Sequence, residues 1–217
     1  VILPFEKGFY RKKGYRATYV GHPLVDHIKN FEPNHGFFEQ NQLDPGKPLV
    51  GILPGSRSQE INKILPELLG VVNNFPDHQF AIAGSKHFPK NHYRQYFPKN
   101  TDVPIIPGQT YDLMYHAKAG LVTSGTATLE AALFNLPQVV CYKTTPFSYR
   151  LFKFFAKVKY ISLVNLIADK MTVQELIQHN LNQENLRVGL DKILHDEKYI
   201  AGMKSGYRDI KAALNKA

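Results

Sequence analysis

One stretch constrains the fold more than any other: Gly120-Leu-Val-Thr-Ser-Gly-Thr-Ala-Thr-Leu-Glu-Ala-Ala-Leu-Phe-Asn-Leu-Pro137, followed at once by Gln-Val-Val-Cys-Tyr142. Leu121-Val122 reads as a short buried strand, and Thr123 to Thr128 are small or hydroxylated. Leu129, Ala132 and Leu133 then follow helical spacing, Asn135 and Pro137 close the helix, and a second apolar run starts at Val139. Strand, small turn, short helix, strand is a unit that buries both strand faces. At the start of such a helix, backbone N–H groups lack intrahelical partners and the helix dipole adds partial positive charge. Ser124 and Thr126 add hydroxyl donors, and Gly125 permits close backbone approach, so an anion such as phosphate is the natural guest. Glu130, one turn further, is placed to accept hydrogen bonds from a ribose diol. The alternative is structural: Ser124 and Thr126 cap a helix, and Glu130 complements its dipole.

The same alternation extends backwards. Leu49-Val-Gly-Ile-Leu53 reads as a strand, Pro54-Gly55-Ser56-Arg57 as a turn, and Ile61, Ile64, Leu65, Leu68, Leu69 and Val72 as a helix that Pro66 should kink or break. Gln79 to Ala83 and Val103 to Ile106 are further strands, with helix and loop over 86–99 and a short helix from Tyr111 to Lys118. Strands alternating with helices predict an α/β fold, a Rossmann-like doubly wound parallel sheet, with its ligand beyond the carboxyl ends of the strands. Around this unit, Val1-Ile-Leu3 and Ala17 to Val20 read as strand-like, and Gly21-His22-Pro23 as a hinge. Residues 30–48 read as a linker holding at most a short helix. After the sheet come an aromatic and basic helix over 147–159, a helical run from Val173 to His179, and two trailing polar helices over 184–216 broken near Ser205-Gly206.

Of 217 residues, 43% are hydrophobic and 21% charged, which supplies an ordinary globular core. The chain opens on Val in mid-pattern, the expected look of a piece of something longer. No apolar run approaches the ~20 residues of a membrane span. The single cysteine, Cys141, excludes an internal disulfide and reads as a small packed hydrophobe. A net charge of +9 calls for an anionic partner. No zinc-finger or RNP-type signature points to nucleic acid. Gly-x-Gly-x-x-Gly, Walker loops and Asp-x-Asp pairs are likewise missing, so Arg57, a bidentate partner for a diphosphate, and helix dipoles would have to neutralise a bound nucleotide. The nine histidines show no metal-ligand spacing and read as surface or turn residues; no metal and no cofactor is expected.

Five motifs in order resemble lipid-A-disaccharide synthase: Leu3-Pro-Phe-Glu6, Val20-Gly-His-Pro-Leu24, Leu53-Pro-Gly-Ser-Arg57 with Glu60-Ile61, Thr123 to Ala132, and Val158-Lys-Tyr-Ile-Ser-Leu-Val-Asn-Leu-Ile167. The resemblance covers almost the whole chain but lacks the family's N-terminal half. It implies the C-terminal, nucleotide-binding domain of a two-domain glycosyltransferase of the B fold. The implied divisions are 1–23 as the end of the other domain and hinge, 24–183 as the UDP-sugar domain, and 184–217 as helices that pack back on the other domain. The implied reaction joins a UDP-diacylglucosamine donor to a diacylglucosamine 1-phosphate acceptor with inversion. Carried onto this sequence, Gly55, Ser56 and Arg57 with Ser124, Gly125 and Thr126 hold the diphosphate, and Glu130 the ribose. Asn165 lies near the phosphates or donor sugar, and Gly108, Gln109 and Thr110 contact uracil. No catalytic base is assigned here; it is expected in the other half, with His22 and Glu6 as outside candidates near the hinge. By itself the chain should bind UDP and catalyse nothing. The family's acylated substrates imply peripheral attachment to the anionic cytoplasmic face of a Gram-negative inner membrane; the helix over 147–159 could lie on that surface, the alternative being that its Phe face packs on the sheet. Two rival readings are a UDP-N-acetylglucosamine epimerase of the same fold and a basic nucleic-acid-binding module.

Overall fold

The computed structural model describes residues 1–99, 101–144 and 159–215. The chain enters through helices α1 (Pro4–Lys12), α2 (Pro23–Lys29) and α3 (Phe37–Gln40). The alternating unit follows as β1 (Leu49–Leu53), α4 (Ser58–Gly70), β2 (Gln79–Gly84), α5 (Lys90–Arg94), β3 (Ile105–Pro107) and α6 (Thr110–His116). It continues as β4 (Ala119–Thr123), α7 (Thr126–Leu133), β5 (Gln138–Tyr142), α8 (Leu163–Ala168) and β6 (Gln174–Ile177), and ends in α9 (Gln183–His195) and α10 (Glu197–Leu214). The expected aromatic and basic helix over 147–159 lies outside the described residues except for Lys159.

The six strands form one parallel sheet in the order β3-β2-β1-β4-β5-β6. All five residues of β1 and of β4 are buried, as strands covered on both faces must be. Alternation sends Val50 and Ile52 to one face, with Ile61, Ile64, Leu65 and Leu68 of α4 and Leu186, Leu190 and Ile193 of α9. Leu49 and Leu53 go to the other, with Phe37, Leu113 and Met114. The strand order reverses between the neighbours β1 and β4. In open α/β sheets this is where the loops separate and leave a crevice. Among the described residues no helix is long and apolar enough to cross a membrane.

Four local expectations are corrected. Val1–Leu3 and Ala17–Val20 form no strand; two backbone hydrogen bonds join them, Val1 N to Thr18 O (2.8 Å) and Val20 N to Val1 O (3.1 Å), without a ladder. Val173, Leu176 and Ile177 fit helical spacing, yet residues 174–177 are the edge strand β6. In so short a run both periods match, and pairing with β5 decides. Of the kink or break expected at Pro66, the break is absent: helix α4 is continuous through it, and the carbonyl that loses its N–H partner belongs to exposed Asn62. The trailing helices break at Asp196, whose carboxylate caps α10 by accepting from Tyr199 N at 2.9 Å, and not at Ser205-Gly206. Gly206 is there for packing: a Cβ would meet Thr172 Cγ2 at 2.4 Å.

Candidate nucleotide site

A cavity of about 690 Å³ opens at the carboxyl ends of β1, β2, β3 and β4. Its walls are four loops. The turn after β1 supplies Gly55, Ser56 and Arg57, with Glu60 from the first turn of α4; the end of β2 supplies Ser85, Lys86 and His87. Gly108 and Thr110 come from the loop after β3, and Thr123 to Ala127 with Glu130 from the turn after β4 and helix α7. Nine of the eleven residues singled out in the sequence therefore line one space: Gly55, Ser56, Arg57, Gly108, Thr110, Ser124, Gly125, Thr126 and Glu130.

Three helix N-termini border this cavity, those of α4, α6 and α7, and none carries a side-chain cap. The N-cap of α4 is Arg57 and that of α7 is Gly125. Elsewhere His22, Ser162, Asn182 and Asp196 cap α2, α8, α9 and α10 with side-chain acceptors, while α3 and α5 are uncapped as well. The simple capping role for Ser124 and Thr126 is therefore not what the fold uses. Ser124 Oγ instead donates to Ile161 O at 3.1 Å, and Thr126 is the first residue of α7. Uncapped N–H groups keep their donor capacity for an anion. A Cβ built at Gly125 would meet nothing within 4 Å. Thr123 is buried, and its Oγ1 has no hydrogen-bond partner among the described residues.

Glu130 is partly buried, and the hydroxyl of Tyr111 donates to its Oε1 at 3.4 Å. Burial pushes the Glu130 carboxyl above the usual carboxylate range, opposed by the Tyr111 hydrogen bond and by His27. The Tyr111 hydroxyl is pushed up to about 12 by burial and the nearby carboxylate. Its ring makes edge contacts with His27, Phe31 and Phe134 at 5.4, 5.7 and 5.1 Å.

Two singled-out residues are placed elsewhere. The side-chain oxygen of Gln109 accepts from Asn41 Nδ2 at 3.2 Å, away from the cavity wall. Asn165 is fully buried. Its amide donates to Val173 O (2.9 Å) and Glu175 Oε1 (2.8 Å), and its oxygen accepts from Thr172 N (2.8 Å) and Val173 N (3.0 Å). Glu175 also accepts from Ile161 N, Ser162 N and Ser162 Oγ at 3.0, 3.0 and 2.7 Å. This network, with Asn165 N donating to Ser162 Oγ at 3.2 Å, fixes the backbone at Ile161, to which Ser124 is tied, so Asn165 reaches the site turn indirectly, through Glu175, Ser162 and Ile161.

The outside candidates carry structural duties. Glu6 Oε2 accepts from Ile2 N and Leu3 N (3.2 and 2.9 Å) at the start of α1. His22 is buried, contrary to the surface reading; its Nδ1 accepts from Leu24 N at 3.2 Å, and burial lowers its pKa against the pull of Glu6. Cys141 is a buried hydrophobe, as read, and burial pushes its thiol up. Lys86, His87, Glu60, Thr123 and Tyr111 were not singled out. The available signal was position: Lys86 and His87 directly follow a strand's carboxyl end.

A family model described as lipid-A-disaccharide synthetase matches residues 1–217. The chain is 34% identical over 221 residues to the lipid-A-disaccharide synthase of Solibacter usitatus, covering 98% of this chain and 56% of that one. It is 31% identical over 219 residues to that of Geobacter sulfurreducens, covering 99% and 57%. This chain thus spans little more than half the length of these relatives. Among solved structures, the sucrose-phosphate synthase from Thermosynechococcus elongatus aligns with a TM-score of 0.56 at 16% identity over 99% of this chain and 53% of that one. Spinosyn rhamnosyltransferase SpnG aligns with a TM-score of 0.59 at 13% identity, over 91% and 49%. At these identities the likeness is one of fold, that of glycosyltransferases of the B type.

Proposed function

The chain belongs to the lipid-A-disaccharide synthetase family, and on that premise we propose that it forms the donor-nucleotide half of a hexosyltransferase of lipid A biosynthesis. The reaction joins UDP-2,3-diacylglucosamine to 2,3-diacylglucosamine 1-phosphate, with inversion, and releases UDP. One observation carries the reading: two uncapped helix N-termini, α4 and α7, meet at the sheet's switch point in a cavity that also holds Arg57 and Glu130. Departure of the diphosphate concentrates negative charge on its oxygens. Preset N–H donors and a guanidinium stabilise that charge without reorganising.

In this reading Gly55, Ser56, Arg57, Ser124, Gly125 and Thr126 bind the diphosphate. Glu130 accepts from the ribose hydroxyls, and Gly108 and Thr110 face the uracil. Asn165 acts as a positioning residue through Glu175 and Ile161, and Gln109 positions its loop. The base that deprotonates the acceptor hydroxyl belongs to the part of the family's length that this chain does not span.

Residues 1–23 are proposed as hinge and edge of a second domain, and 184–217 as helices that reach back to it. Exposed Ile2, Phe5, Phe9, Tyr10, Tyr15 and Val20 support this, being apolar surface concentrated in one segment. Acylated substrates place the reaction at the anionic cytoplasmic face of the inner membrane, bound peripherally.

Calorimetric titration of this chain with UDP, with and without EDTA and repeated on Arg57→Ala, tests the site. Binding indifferent to EDTA and at least tenfold weaker in the variant, about 1.4 kcal/mol, is expected. No binding by the wild-type chain would sink the reading.

A further inference from the structure

We propose that Glu60 is a positioning residue that presets the Arg57 guanidinium for the diphosphate; the proposal rests on the nucleotide reading above. Glu60 is the third residue of α4, whose N-cap is Arg57. A glutamate there ordinarily turns back to the N-cap backbone N–H. Here its Oε1 accepts from Arg57 Nη1 at 2.9 Å. Its other oxygen, Oε2, is seated against the preceding turn: it lies 2.5 Å from where a Cβ at Gly55 would stand, and Gly55 has φ +99°. One carboxylate thus bridges the turn to the guanidinium, and both side chains line the cavity.

Fold stability does not account for this pair. The Arg57 side chain is 81% exposed and that of Glu60 25%, and so exposed an ion pair contributes little to folding. Its effect falls on the arginine. An untethered exposed arginine loses side-chain entropy when it closes on a ligand, whereas a tethered one has already lost it. With Nη1 held by Glu60, Nε and Nη2 remain to grip phosphate oxygens in a fork. Carboxylate, guanidinium and phosphate then form a chain like those in which an outer group orients a metal-binding histidine. The opposing effect is repulsion between Glu60 and the incoming anion, and it predicts the opposite sign.

The test is UDP affinity and thermal unfolding of this chain as wild type, Glu60→Ala and Glu60→Gln. Glu60→Ala is expected to weaken binding about tenfold with an unchanged unfolding midpoint. Glu60→Gln, whose amide oxygen still accepts from Arg57, should recover most of that loss; a role in supporting the turn alone would not show this pattern. Equal or tighter binding by Glu60→Ala overturns the proposal in favour of repulsion. Weak binding by both variants with lowered midpoints overturns it in favour of a structural role. If the wild-type chain binds no UDP, proposal and nucleotide reading fail together; if it binds and only the Glu60 pattern is missing, the nucleotide reading stands.

Discussion

The hydroxyl of Tyr19 donates to the carbonyl of Leu214 at 2.8 Å, joining residues 195 positions apart. Leu214 ends α10, so its carbonyl is one that no intrahelical N–H can satisfy. The segment that precedes α2 therefore caps the last helix. Tyr19→Phe removes the donor and keeps the ring. It should lower stability by about 1 kcal/mol and raise amide exchange in the last turn of α10, leaving the sheet unaffected. Unchanged exchange around Leu214 would show that the contact does not hold the helix end.

His78 predicts an acid-side loss of stability. Both of its ring nitrogens are buried without a partner among the described residues, against Phe75 and His195. Burial lowers its pKa, His195, Lys118 and Lys47 lower it further, and Asp77 opposes them. A depressed histidine pKa means that the unfolded chain takes the proton first. Stability is then full above about pH 6.5, the unperturbed value, and declines as pH falls below it towards the folded value. His22 is shifted in the same direction, so the wild-type slope has two sources. His78→Phe should flatten the fall in urea midpoint between about pH 7.5 and 5.5 without abolishing it. A slope equal to wild type would count against His78.

Glu130 offers a prediction in which stability and binding move oppositely. Its carboxyl is raised mainly by burial, so folding favours the protonated form. That contribution is present below the unfolded pKa and lost as pH rises through the folded one, leaving the full penalty at neutral pH. Glu130→Gln should accordingly raise the neutral-pH unfolding midpoint while weakening UDP binding about tenfold. The proposed ribose contact predicts that wild-type affinity also falls with acid, starting above the ordinary glutamate value of about 4.3, because an ionised carboxylate can accept from two hydroxyls with both oxygens. A variant that is more stable and binds UDP unchanged would remove Glu130 from the ribose.

The sheet was legible because β1, β2, β4 and β5 are buried on both faces, so their apolar runs are unbroken and bounded by small turns. The cavity followed from the same logic, since Gly55 to Arg57 and Ser124 to Thr126 sit where parallel strands end. What sequence reading missed depends on tertiary context. β6 is an edge strand whose pattern equally suits a helix, and α1 has no buried residue to mark its helical face. Gly206 resembles a helix breaker until the approach of Thr172 is seen. Asn165 stands out as a motif residue, but its amide is engaged with Val173, Thr172 and Glu175, contacts that only the folded chain creates. Lys86 belongs to no motif, and Glu60, though part of one, has no role assigned by it; chain geometry brings both to the cavity.

Gly125 separates a binding turn from an ordinary cap most sharply. Its φ of 160° and ψ of −161° are extended backbone, so a side chain there brings no left-handed strain. A Cβ would meet no protein atom within 4 Å, so Gly125→Ala should fold with unchanged stability. The added methyl group would instead occupy space at the N-terminus of α7, where the anion must approach the uncapped N–H groups. UDP affinity should fall about tenfold or more, and Gly125→Val should bind more weakly still. Were the turn a mere connection, both variants would bind as the wild type does. A graded loss with side-chain size at constant unfolding midpoint would locate the diphosphate against this turn.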